Sequence, residues 1–420
     1  MMKGGSGKTE AYDVMVIGGG PSGMMSAGRA AERGKRVLLI EKNRRLGEKL
    51  NITGGGRCNI TNAEFDTRTL LSHYGDAEQP LYSPFSQYGV EDTFAFFESR
   101  GLPLVVEARK RAFPKTQNAK DVTAVMERYV RESNVDVQTE STVTKITIEN
   151  AHTVRVDTRD RSFIGKNIII ALGGVSHPET GTTGDGFRFL KQLGHTVREP
   201  SPDIVPLRVE ETWVTNLSGT SLSFMKITFY LDNVQKFSLE GKILFTHFGI
   251  SGPLILNAAR KVKELLRAGV VTATIDCYPD TDFAQLERRI IALFDQHKNK
   301  DFKNILDEIV PHGTAKSLAD IAPFKDIIEK KVHSVTKEER RALVHALKGL
   351  PLTILGLMGF ERAVVSDGGV PLTEIDTKTM QSKLYPNLYI TGDMLHINRP
   401  SGGYSLQLCW TTGYVAGNRV

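Results

Sequence analysis

The chain has 420 residues, 40% of them hydrophobic and 24% charged, a globular composition too long for one ordinary core, so two or three domains are expected. Its 54 lysines and arginines against 48 aspartates and glutamates leave a net charge of +6 and a pI near 9.0, but the basic residues are dispersed, with short knots only at 109–111 and 338–341, which disfavours a nucleic-acid groove. No run reaches the roughly 18 uncharged apolar residues of a membrane span, there is no signal-peptide core, and Cys58, Cys277 and Cys409 form no C-x-x-C pair, so the expectation is a cytoplasmic protein with no membrane partner, disulfide or metal.

Residues 3–9, KGGSGKT, look like the phosphate loop of nucleotide triphosphatases. Such a loop must leave a buried strand, and here the usual first glycine falls on Met2, so a flexible leader over 1–11 is expected instead. Residues 12–41 then read as strand, tight turn, helix and strand. An apolar run at 14–17, ending in Ile17, feeds into Gly18, Gly20 and Gly23 at G-x-G-x-x-G spacing. Gly18 allows the turn, Gly20 allows a pyrophosphate to approach the backbone, and Gly23 allows the helix to pack on the strand. The pyrophosphate would sit on amides at the helix N-terminus. A second apolar run at 37–40 ends in Glu41, 23 residues beyond Gly18, where a carboxylate can accept ribose hydroxyls, followed by Lys42. This unit alone fits either NAD or FAD.

Residues 46–62 form a polar, glycine-rich loop in which Gly54, Gly55 and Gly56 precede Arg57, Cys58 and Asn59, placed to follow a ligand beyond the strand ends. Helical stripes are predicted over 87–100 and 119–132, strands over 135–138, 143–148 and 153–158, and a second buried strand over 167–171 that runs from Ala171 into Gly173 and Gly174. After a helix at 187–193, prolines 200, 202 and 206 break the pattern, and 209–276 alternates apolar and polar residues as an antiparallel β-subdomain would. Helical stripes over 283–347 predict a small helical subdomain, and from about 355 the first texture returns. The expected organisation is therefore 12–197 and 355–420 as one domain, interrupted by a β-subdomain at 198–281 and a helical one at 282–354.

The last stretch, LYITGDMLHINRPSGGYSLQLCWTTGYVAG, supplies a second half-site: a strand ending in Gly392 and Asp393, then Gly402 and Gly403 opening an apolar helix at Tyr404 and Ser405. The helix N-terminus can stabilise negative charge on a reduced ring, a feature that a nicotinamide nucleotide on one Rossmann unit does not need. Together IGGGPSG, NITGGGRCNITN, LGG, LFTHFGISGP, SDGGV and TGD, spread over 12–420, resemble bacterial flavoproteins of the aminoacetone-oxidase-like group, which also holds bile-acid-reductase-like flavoproteins. The resemblance implies an α/β fold: a Rossmann-like FAD-binding domain of the glutathione-reductase type, interrupted by an inserted β-barrel and a small helical subdomain.

Carried over by motif, the resemblance places Ile17, Gly18, Gly20, Pro21, Ser22 and Gly23 at the FAD pyrophosphate and Glu41 and Lys42 at the adenosine ribose. It places Gly55, Gly56, Arg57, Cys58 and Asn59 along the flavin, Val143 at adenine, and Ala171, Gly173 and Gly174 against the cofactor's backbone. Gly392 and Asp393 fall at the ribityl or pyrophosphate, and Gly402, Gly403, Tyr404 and Ser405 at the pyrimidine end of the ring. Two motifs depart: Asp393 and His396 replace the glutamate and the aspartate of the group's G-E-x-L-D, and Ser405 the asparagine of its G-G-Y-N, so the identity of the substrate is not carried over. No catalytic residue is assigned. His177, His247 and His396 could each move a proton or simply cap a turn, and Cys58 reads as a small residue filling a tight loop. The expected activity is hydride transfer between FAD and a small organic substrate, with NAD(P)H or oxygen as second partner, although no second strand-linked G-x-G-x-x-G offers a nicotinamide site. The alternatives are a flavin-dependent RNA-modifying or RNA-binding protein and a non-catalytic redox sensor.

Overall fold

The computed structural model describes residues 11–420, so the KGGSGKT stretch and all but the last residue of the expected leader lie outside the described residues. The chain forms two compact units, one from residues up to Pro202 together with Val364–Val420, the other from Asp203–Ala363.

The first unit is a Rossmann-type layer structure. Strand β1 (Tyr12–Ile17) is buried along its last four residues, as a central parallel strand covered on both faces must be. It pairs in parallel with β2 (Val37–Ile40) on one side and with Ser162–Ile170 on the other. Beyond these lie Asp136–Gln138, parallel to β2, and Leu388–Ile390, parallel to Ser162–Ile170. Helix α1 (Pro21–Glu32) crosses from β1 to β2 with Pro21 in its first turn, where proline's missing N–H costs no hydrogen bond. The C-terminal helix Tyr404–Arg419 is buried almost all round, and packing against α1 is so close that a Cβ on Gly413 would meet the Ser22 carbonyl oxygen at 2.5 Å. The stripe predicted over 87–100 is the helix Val90–Ser99, capped by the extended backbone of Gly89, and a separate helix, Glu78–Gln87, precedes it. The helix Ala119–Glu132 holds its predicted bounds, fixed by the Asn118 side chain capping Lys120 N.

The second unit is a closed six-stranded barrel with helices. Its long hairpin, Ser221–Leu231 with Val234–Thr246, alternates buried and exposed residues on Ser221–Leu231, the period-2 pattern read from sequence. Two features differ from expectation. The helix Pro253–Ala268 interrupts the alternating stretch, burying Leu254, Ile255, Ala258, Ala259 and Val262 at helical spacing. Leu350–Leu357 continues as a barrel strand, pairing with Val271–Asp276 and Leu207–Val209, so the chain re-enters the first unit at Val364 rather than near Leu355. Inside the barrel unit the helices Phe283–Gln296 and Lys337–Lys348 each start on a capping box, at Asp282 and Thr336.

Candidate functional site

Register puts the site together. Ile17 stands opposite Ile40 and Ile170, and Ile170 opposite Ile390, so the four central parallel strands of the first unit end in line. The residues that follow, Gly18, Glu41, Ala171 and Thr391, therefore share the C-terminal edge of the sheet, the edge at which open α/β sheets bind ligands. Ala171 N donates to Ile17 O at 2.9 Å and Gly18 N to Ile40 O at 2.9 Å, which locks these strand ends to one another.

The glycines of the first loop separate by role. Gly18 has φ +105°, and a Cβ there would lie 2.6 Å from the Ala171 carbonyl oxygen. A Cβ on Gly23 would lie 1.8 Å from the Gly18 carbonyl oxygen, so Gly23 permits contact between helix and loop. A Cβ on Gly20 would meet none of the described residues within 4 Å beyond its chain neighbours. Gly20 caps α1 without a side-chain hydrogen bond, so its bareness serves the open space in front of the helix and not the packing of the chain. Ser22 is buried in the first turn of α1 behind this cradle.

Glu41 is buried, and both its oxygens are engaged: Oε2 accepts from Gly19 N at 2.7 Å and Oε1 from Asn43 N at 2.8 Å. Burial pushes its carboxyl pKa up, and the two amide bonds oppose that shift. The carboxylate thus shapes the glycine loop itself. Lys42 reaches Thr183 Oγ1 at 2.7 Å and Asp185 Oδ2 at 3.2 Å, tying the β2 end to the loop before Asp185–Gln192. Val143 is buried opposite Thr158, two residues beyond Ser141, whose N donates to Glu41 O at 3.0 Å.

In the second loop Gly55 and Gly56 have φ +67° and +84° and face open space. Arg57 lies over the Phe113 ring at 4.1 Å, donates to Gln117 Oε1 at 2.6 Å and is also paired with Glu107. Cys58 is fully buried, and burial pushes its thiol up to about 12, so it is a neutral filler and not a redox nucleophile. Asn59, with its amide oriented to satisfy all partners, accepts from Gly403 N at 3.0 Å and donates to Ala112 O at 3.2 Å. A Cβ on Gly403 would lie 2.2 Å from the Thr61 carbonyl carbon, and Asn62 Nδ2 donates to Gly402 O at 3.2 Å. The two ends of the chain therefore meet here, 59–62 against 402–404. Tyr404 accepts at its carbonyl from Tyr74 Oη at 2.9 Å.

The remaining predicted positions join the same edge. A Cβ on Gly173, with φ +71°, would lie 3.0 Å from Thr182 Cγ2; one on Gly174 would lie 2.0 Å from Ser366 Oγ and 3.8 Å from Asp393 Cβ. Gly392 N donates to Thr412 Oγ1 at 3.0 Å, and a Cβ on Gly392 would meet Ser22 Oγ at 2.8 Å, which links the C-terminal loop directly to α1.

Three residues that sequence reasoning passed over stand among these. Arg399 is buried and donates to Ser405 Oγ at 2.8 Å, to Ile397 O at 2.6 Å and to Asp393. Lys49 lies 3.8 Å from Asp393 Oδ2 and donates to Ser176 Oγ at 2.9 Å. Thr391 is buried, and its hydroxyl has no partner among the described residues. An arginine before a proline reads as surface, so the only signal was its closeness to TGD and GGY.

The histidines are dispersed. His177 Nδ1 lies 2.8 Å from Glu179, His396 Nε2 lies 3.0 Å from Arg198 Nη1, and His247, in the barrel unit, packs edge-on against Phe248. A different histidine is the most enclosed. His195 Nδ1 lies 2.6 Å from Glu374 and its Nε2 2.9 Å from Ser382 Oγ, the outline of a hydrolytic triad. Ser382 Oγ accepts from Leu384 N and Tyr385 N, so both its lone pairs are occupied and its proton goes to His195. With Ser382 buried as well, the group is a structural clamp. Among the described residues no helix is long and apolar enough to cross a membrane.

The sequence profile of the HI0933-like protein Rossmann domain family matches residues 12–419. The chain is 27% identical over 406 residues to the 3-dehydro-bile acid delta(4,6)-reductase of Clostridium scindens, covering 96% of this chain and 97% of that protein. It is 28% identical over 408 residues to the ribosomal RNA dihydrouridine synthase of Haemophilus influenzae, covering 95% and 96%. Among solved structures, the 3-ketosteroid-delta4-(5alpha)-dehydrogenase of Rhodococcus jostii superposes with a TM-score of 0.55 at 12% identity over 99% of both chains, a likeness of fold. The chain belongs to the HI0933-like Rossmann-domain family, a family of FAD-dependent oxidoreductases.

Proposed function

We propose that the chain binds FAD along the sheet edge described above and reduces an electron-poor carbon–carbon double bond of a small organic substrate, with NAD(P)H as the electron donor; oxygen would be the second partner only in the opposite direction, oxidation of the substrate. The observation that supports this reading most is the meeting of two half-sites from opposite ends of the chain at one edge, with Gly392 against Ser22 and Gly403 against Thr61. The residues fit the cofactor: among the described residues nothing fills the space before Gly20, and the buried Thr391 hydroxyl has no partner. Gly18, Gly20, Pro21, Ser22 and Gly23 would hold the pyrophosphate, Glu41 the adenosine ribose with Lys42 and Val143 nearby, and Ala171, Gly173, Gly174, Gly392 and Asp393 the central chain. Gly55, Gly56, Arg57, Cys58, Asn59, Gly402, Gly403, Tyr404 and Ser405 would border the ring.

FAD when bound supplies the hydride chemistry. The chain's contribution is to bind and orient. The bare amides at the α1 N-terminus offer positive partial charge to the pyrophosphate, and the 16-residue C-terminal helix, starting at Tyr404, offers the same at the opposite end of the site. The bile-acid relative and the dihydrouridine synthase, by the chemistry their names describe, both saturate a double bond conjugated with a carbonyl, which is why an enone-like acceptor is proposed.

A second reading, reduction of a uridine within RNA, is favoured by the full-length likeness to the ribosomal RNA enzyme. Charge favours the small substrate: the barrel unit, 203–363, carries 22 lysines and arginines against 20 aspartates and glutamates, little excess for a polyanion. The test is reoxidation of the reduced holoenzyme, followed by flavin absorbance, anaerobically with a cyclic enone or with a uridine-containing ribosomal RNA transcript and, separately, with oxygen. Rapid reoxidation by the enone with a saturated product is expected. Reoxidation by RNA alone would establish the second reading, and by oxygen alone an oxidase.

A further inference from the structure

Two of the three positions at which this chain departs from the G-E-x-L-D and G-G-Y-N patterns, Asp393 and Ser405 but not His396, are held by one side chain, Arg399. The Arg399 side chain is only 3% exposed, that of Asp393 11% and that of Lys49 23%. A buried guanidinium demands full hydrogen bonding and a counter-charge, and here the single carboxylate of Asp393 faces two cations, Arg399 and Lys49. One positive charge is left over inside the group. It lies at the start of Tyr404–Arg419, whose second residue is Ser405 and whose cap, Gly403, makes no side-chain hydrogen bond. Helix dipole and surplus cation have the same sign there.

We propose that Arg399 is a positioning residue that raises the reduction potential of the bound flavin. It fixes the shorter Asp393 and the Ser405 hydroxyl, and with Lys49 it leaves a net positive field at the C-terminal half-site. This rests on the FAD reading above. Two-electron reduction of a flavin with uptake of one proton leaves one negative charge on the ring, so a positive field favours the reduced form over the oxidised one. The substitution Arg399→Lys would keep the charge and lose the three-way grip, whereas Arg399→Met would lose both.

The experiment compares wild type, Arg399→Lys, Arg399→Met and Lys49→Met, all reconstituted with FAD. The midpoint potential is read by equilibration with a reference dye during enzymatic reduction, with xanthine as electron donor, and the FAD dissociation constant is read by fluorescence quenching. Arg399→Met is expected to weaken reduced FAD relative to oxidised FAD at least tenfold, a fall of about 30 mV for a two-electron couple. Lys49→Met, at a more exposed position, is expected to lower the potential in the same direction, and Arg399→Lys to restore most of it. A merely structural arginine would change thermal stability and leave the potential of FAD-loaded protein where it was; that result in both Arg399→Met and Lys49→Met overturns the inference, and if Arg399→Met does not fold, an unmoved potential in Lys49→Met overturns it alone. A wild-type protein that takes up no FAD overturns the reading on which the inference rests as well.

Discussion

The two half-sites of the first unit are built from different materials. The N-terminal one is almost entirely backbone: glycines at 18, 20 and 23, and a carboxylate, Glu41, whose oxygens are spent on the amides of Gly19 and Asn43. The C-terminal one is built from charged side chains, with Arg399 joining Asp393 and Ser405 and with Lys49 at its margin. A backbone cradle offers the same amides whatever its neighbours, and so suits the constant end of a cofactor. A charge cluster changes with each substitution, and so suits the end at which chemistry is tuned.

Breaking the packing glycine of either half should have the largest effect. In Gly23→Ala and Gly403→Ala the new Cβ meets backbone at 1.8 and 2.2 Å, which cannot give way as a side chain can. Each should cost at least about 3 kcal/mol, roughly a 6–12 °C fall in the melting temperature of the apoprotein. An apoprotein melting at the wild-type temperature would contradict the close approach. Glu41→Gln comes next: its amide nitrogen would face one of two backbone donors, leaving a buried mismatch worth about 2 kcal/mol in chemical denaturation.

Gly20→Ala sharpens the contrast because its Cβ meets none of the described residues beyond its chain neighbours. Apoprotein stability should stay within about 1 kcal/mol, while FAD affinity should fall at least about tenfold, or ~1.4 kcal/mol. Unchanged affinity would mean that the open space before α1 is not the pyrophosphate site. The smallest effect concerns Cys58 and Cys409, one thiol in each half, both pushed up to about 12 by burial from an ordinary 9.0. Because the unfolded chain ionises its thiols at lower pH than the folded one, their stabilising share is complete below pH 9 and is lost as pH rises above it. Native protein at pH 8 should resist alkylation by iodoacetamide at both positions, and the alkaline fall in melting temperature should shrink in the Cys58→Ala, Cys409→Ala double variant.

Much of this was legible in the sequence where the signal is local. A strand that must be buried on both faces, a glycine that must have positive φ and a helix that must begin at a proline all constrain neighbours in the chain, so β1, α1 and β2 are readable within a residue or two. The helix Pro253–Ala268 was not, because it lies within a long stretch of β-alternation and its stripe of Leu254, Ile255, Ala258 and Ala259 is short. Asp393 was legible as a position, from TGD at a strand end, but not as a partner.

The sequence by itself determined the Rossmann-like unit, its glycine loop and the presence of an insert, since these follow from periodicity and from backbone conformations that few residues can adopt. Only the tertiary structure decided that Arg399 is buried, that it holds Asp393 and Ser405 together, and that Lys49, more than 300 residues away in sequence, completes the group. Charge has no period: an arginine becomes buried through the elements that close around it, and those come from both ends of the chain.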